Sequence, residues 1–251
     1  MKILDIFCQS PERFHKNDRW LDTAFYVSAG LLFIFYFVTP FLFSFLSQEF
    51  KALPKNVQIF LMVVPHQALL LAGMFFIAEF GSGGAKPGEI SSRLGFLPCG
   101  FADLRFAGLL ILLVFPLSAL LNSLVYIISS RIGIALPPPV VGQLLSSCPW
   151  PGFVIIAFGA LVLAPLGEEI IFRRIIFCYA SKYVSVIGAA VISSAVFAAA
   201  HFNIRRFAGL FILGLALQFL YIRNRSLYPC ILLHFIQNLI SITAFLFLKL
   251  I

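Results

Sequence analysis

Of the 251 residues, 61% are hydrophobic and only 11% are charged, less than half the roughly one-quarter charged share of soluble domains. The formal net charge is +8, but the Lys and Arg residues stand at the ends of long apolar runs, where they anchor membrane helices and set their orientation rather than bind nucleic acid. Continuous apolar runs argue against an outer-membrane barrel, and five scattered Cys without CxxC spacing argue against a disulfide framework or a thiolate metal site.

In chain order, residues 1–22 form a polar segment with charges of both signs, read as cytoplasmic. The first apolar run is about 24 residues long, beyond the 7–15 of a signal-peptide core, so it is expected to be a retained span. A bilayer core needs about 20 apolar residues per helix. Seven runs qualify as spans: roughly 23–46, 57–80, 104–129, 156–181, 184–202, 206–222 and 226–248. An eighth would have to lie within 140–156. The expected fold is thus an all-α polytopic transmembrane bundle with an intramembrane cavity. Its N-terminal transmembrane region covers 23–150 and its C-terminal core 151–251.

Pro40, Pro65 and Pro116 are expected as local kinks in the first three spans. Gly81 to Gly88 reads as a flexible loop, and Pro137–Pro139 with Cys148–Pro151 as a stiff connection. Placing the N-terminus in the cytoplasm puts twelve Lys and Arg on that side against six opposite, which favours an N-inside, C-outside topology.

The C-terminal half holds the polar residues that lipid does not tolerate without cause. After Asp103 only two acidic residues occur, adjacent in Gly167-Glu168-Glu169-Ile-Ile-Phe-Arg173-Arg174. Two further spans bring Phe197-Ala-Ala-Ala-His201 and His234-Phe-Ile-Gln-Asn238. Glu169 and Arg173, four apart, share a helix face and can pair, while Glu168 points about 100° away. His234 and Asn238 are also four apart and project together. If the Glu-bearing helix runs on to Ser181, Glu168 lies about 20 Å from its inner end, with His201 at roughly 25 Å, Asn238 at roughly 18 Å and His234 at roughly 12 Å on their own helices. One mid-membrane cluster accommodates all of them. His66 reads as a hydrogen-bonded packing residue and His15 as solvated.

These three motifs, in this order on consecutive spans over roughly 160–240, resemble those of the CPBP family, which comprises the CAAX-prenyl endopeptidases and the Abi or bacteriocin-processing proteins. The resemblance implies an intramembrane glutamate protease without metal or other cofactor. Glu168 then matches the general base and His201 a residue holding the nucleophilic water. His234 and Asn238 match the groups that stabilise the oxyanion, with Glu169 and Arg173 in support. The expected partners are membrane lipid and a peptide or protein substrate, lipidated if it is of CAAX type. The short chain without long loops or an organellar signal leans toward a bacterial cytoplasmic membrane. Two other readings compete: a zinc protease with Glu168, His201 and His234 as ligands, and a non-catalytic immunity, scaffold or proton-linked transport protein. Ser193 and Ser194, one to two turns before His201, give weak support for a serine nucleophile.

Overall fold

The structure is a computed structural model, and it describes residues 19–34, 47–80, 89–136, 145 and 148–250. Among these, every regular element is helical: α1 (Arg19–Phe33), α2 (Ser47–Ala52), α3 (Lys55–Phe80), α4 (Glu89–Arg93), α5 (Phe101–Arg131), α6 (Trp150–Ala180), α7 (Val186–Ala199), α8 (Ile204–Asn224) and α9 (Tyr228–Leu250). Four are long and apolar enough to cross a membrane by length and composition: α5, α6, α8 and α9. Shorter apolar stretches lie at Trp20–Phe33, Gln67–Phe76 and Val186–Ala199. The protein is an integral membrane protein with an all-helical fold.

Local chemistry explains the boundaries. The Asp103 carboxylate accepts from Gly100 N at 3.1 Å and caps α5. Pro149 and Pro151 open α6, where missing N–H groups cost nothing. Trp150 and Pro151 therefore begin the helix instead of extending a linker, six residues before the expected start at 156. Pro65 and Pro116 lie inside unbroken helices. Pro40, His15, the Gly81–Gly88 loop, Pro137–Pro139 and the His66 side chain fall outside the described residues.

Helix α7 departs most from expectation. Ser185 caps its start by accepting from Gly188 N at 3.1 Å, and it ends at Ala199, so His201 sits in the turn beyond it. Phe202, with φ 47°, and Asn203, which caps α8 through Arg206 N, force the chain round within four residues.

The core of the bundle is the packing of α7 on α8, α8 and α9 on α5, and α3 on α6. Two crossings are close at a glycine of α8. Gly214 of α8 lies against Ser194 of α7, where an added Cβ would be 3.0 Å from the Ser194 Cβ. At Gly209, Asn122 Oδ1 accepts from the backbone N at 3.0 Å and Ser118 Oγ donates to the carbonyl at 3.0 Å, so α5 holds α8 by both backbone groups of one glycine. At the opposite end, α1 docks on the end of α6: Lys182 pairs with Asp22, Phe25 stacks on Tyr179 at 3.8 Å, and Arg174 lies over Trp20.

Candidate active site

Helix α6 carries the two glutamates and is not uniform. An α-helical turn, Ala164–Glu169, lies between two π-helical segments, Gly159–Leu163 and Ile170–Ile176. A π turn widens the ladder and leaves carbonyls in need of partners, and such turns occur often at functional sites. Side chains from neighbouring helices supply them here. Ser193 of α7 donates to Phe172 O at 2.6 Å, and Asn238 of α9 donates through Nδ2 to Ala160 O at 2.8 Å. The helix continues past Arg173 and Arg174 to Ala180, as the single-layer placement of the polar residues requires.

The two carboxylates are separated as their spacing predicts. Glu169 and Arg173 are both 0% exposed, with Glu169 Oε2 3.0 Å from Arg173 Nε. Glu169 Oε1 accepts from His234 Nδ1 at 2.8 Å. Glu169 thus fixes a cation on its own helix and an imidazole from α9. The Arg173 guanidinium lies over the Phe197 ring, 4.7 Å from its centroid, and the same ring meets His201 and His234 edge-on. Phe197, the first residue of the Phe-x-x-x-His motif, is the apolar wall that orients three polar groups.

Glu168 faces the other way, with its side chain 22% exposed and His201 beside it 31% exposed. Its Oε2 is 3.9 Å from His201 Nε2 and 3.9 Å from His234 Nε2, too far for direct hydrogen bonds and well spaced for a bridging water. That oxygen is buried and has no hydrogen-bond partner among the described residues. The remaining ring nitrogens fix the tautomers. His201 Nδ1 donates to Phe197 O at 2.8 Å, a carbonyl that can only accept, so a neutral His201 presents a bare Nε2 lone pair toward Glu168. His234 donates its Nδ1–H to a carboxylate, so it presents Nε2–H only as an imidazolium paired with Glu169.

Glu168, Glu169, Arg173, His201 and His234 are therefore in one cluster. Asn238 stands one turn after His234 with one N–H committed to Ala160 O. The link from Glu169 to His234 has no sequence signal, since the two are 65 residues apart on different helices. Ser193 and Ser194 are fully buried and donate to backbone carbonyls, Ser194 to Ala190 O at 2.7 Å, which removes both as nucleophiles.

An apolar groove of about 680 Å³ lies between α1, the end of α6 and α7, and none of the five cluster residues lines it. Phe25 and Leu32 of α1, Tyr179 and Tyr183 near the end of α6, and Val196 of α7 line it, and it reaches Ala199, Ala200 and Phe202 on either side of His201.

A carboxylate and two imidazoles held around one point inside an apolar helical bundle are a set that can hold and activate a water for hydrolysis. Residues 150–240 match the family model described as type II CAAX prenyl endopeptidase, Rce1-like, and form an Rce1-like domain in agreement with the CPBP resemblance. No curated protein and no solved structure matches the chain.

Proposed function

We propose that the protein is a metal-free intramembrane glutamate endopeptidase acting on a prenylated, CAAX-type peptide tail. The observation that carries this reading is the buried Glu168 Oε2 with an imidazole Nε2 at 3.9 Å from each of two helices. A water placed there gives one proton to Glu168 while His201 Nε2 accepts its second O–H. The resulting hydroxide attacks the scissile carbonyl carbon. Negative charge then grows on the carbonyl oxygen, which takes the Nε2–H of His234, as an imidazolium paired with Glu169, and the second N–H of Asn238. When the C–N bond breaks, protonated Glu168 returns its proton to the leaving amine. Arg173 and Glu169 keep the His234 ring in place. Preorganised donors in a dry site need no reorganisation as charge develops, which is where catalysis of this type gains most.

The Rce1-like domain supports a CAAX-type substrate. The groove supports one bearing a lipid, because its walls are apolar and aromatic and it reaches Ala200 and Phe202, the residues on either side of His201. The test is a proteomic comparison of membrane peptides between wild type and Glu168→Ala, together with in vitro cleavage of a farnesylated tetrapeptide tail. Prenyl-cysteine products lost in Glu168→Ala, with cleavage that persists after exhaustive chelation, are expected. Cleavage abolished by chelation and restored by zinc would move the same three side chains to the role of metal ligands.

A further inference from the structure

Helix α3 brings one polar side chain to the glutamate motif from outside the 150–240 domain. Gln67 opens the apolar stretch Gln67–Phe76, and its Oε1 is buried without a hydrogen-bond partner among the described residues. That atom lies 3.6 Å from where a side chain would leave Gly167, the residue before Glu168, and Leu71, one turn on, lies 3.9 Å from the same point. Helix α3 packs on both the Gly159–Leu163 and the Ala164–Glu169 segments of α6. The glycine thus lets an amide rest directly against the backbone that presents Glu168. Buried amide oxygens without partners are unfavourable, so a position like this is stable in function when a donor arrives. Gln218 and Gln237 also carry buried amide oxygens without partners, but Gln67 alone of the three borders Gly167.

An extended peptide presents backbone N–H groups that are strong donors and must find acceptors when they leave water. We propose that Gln67 is a substrate-binding residue: its Oε1 accepts a backbone N–H of the peptide and so sets the scissile carbonyl against the water on Glu168. This rests on the proteolytic reading above. It also gives the N-terminal half of the chain a share in the site, which the three motifs alone do not.

The experiment measures binding, so that it does not depend on turnover. A dye-labelled peptide ending in a farnesylated Cys and three further residues is titrated into Glu168→Gln protein in phosphatidylcholine–phosphatidylglycerol liposomes, with affinity read by anisotropy. Three ester analogues each replace one of the C-terminal backbone N–H groups by oxygen. With Gln67 present, one ester binds about tenfold more weakly than the amide. In a Gln67→Leu background the amide is about tenfold weaker and that same ester loses nothing further. A Gln67→Leu protein that binds the amide as tightly as the parent, or that still distinguishes the ester, overturns the inference, as does failure of the parent to bind the peptide at all. A wild-type protein that binds the peptide without cutting it refutes the proteolytic reading instead, and leaves the amide–ester comparison intact.

Discussion

The adjacent carboxylates permit a sharp test, because the same isosteric change at each should give opposite results. Glu169→Gln removes a charge that is wholly buried between Arg173 Nε at 3.0 Å and His234 Nδ1 at 2.8 Å. Arg173 is itself fully buried, and none of its three guanidinium nitrogens has a hydrogen-bond partner among the described residues, so the close charge of Glu169 is its principal compensation. Removing one partner of a buried pair costs about 3–5 kcal/mol. For a chain of this size that corresponds to a fall in melting temperature of about 10 °C, measured on detergent-solubilised protein. Glu168 has no comparable partner and is part-exposed, so Glu168→Gln should move the melting temperature by under about 2 °C. Its effect falls on turnover of the farnesylated peptide instead, with a loss of about a thousandfold for removal of a general base. Equal destabilisation by the two variants, or a stable Glu169→Gln, would refute the division of labour between them.

Two further substitutions probe the scaffold. Gly209→Ala places a methyl group within 2.8 Å of the Asn122 amide, which must swing away and release its hydrogen bond to Gly209 N, so a loss of about 1–3 kcal/mol is expected in chemical or thermal denaturation. Pairing it with Asn122→Ala should recover part of that loss. Ser193→Ala leaves the Phe172 carbonyl without its 2.6 Å donor; it should lower stability by about 1 kcal/mol while retaining cleavage, an outcome a serine nucleophile could not give.

The fold and the site differ in how much of each the sequence announces. Apolar length alone marks the runs that become the long helices α3, α5, α6, α8 and α9, because lipid leaves the backbone few alternatives. The pairing of Glu169 with Arg173 follows from helical spacing, and the structure has it. The hydrogen bond from His234 to Glu169 does not follow from any spacing, since it depends on how α9 rotates against α6. The π segments on either side of Glu168 are equally silent: Gly159–Leu163 and Ile170–Ile176 carry ordinary apolar residues apart from the two arginines, and the turns are held by Ser193 and Asn238 from elsewhere in the chain. Gln67 escapes notice because one amide in an apolar helix has no periodicity to reveal it. The end of α7 is not legible in hydropathy, because it is a property of the backbone at Phe202 and Asn203.

The length of α7 bears on how a reaction that consumes water proceeds among lipids. Fourteen residues rise only about 21 Å, whereas the hydrocarbon layer is about 30 Å thick. Its first turn lies near Lys182 and Asp22, a charged pair suited to the aqueous boundary, so the shortfall falls at the far end, where His201 stands. A helix this short is accommodated by thinning of the bilayer beside it. That thinning shortens the path from bulk solvent to His201.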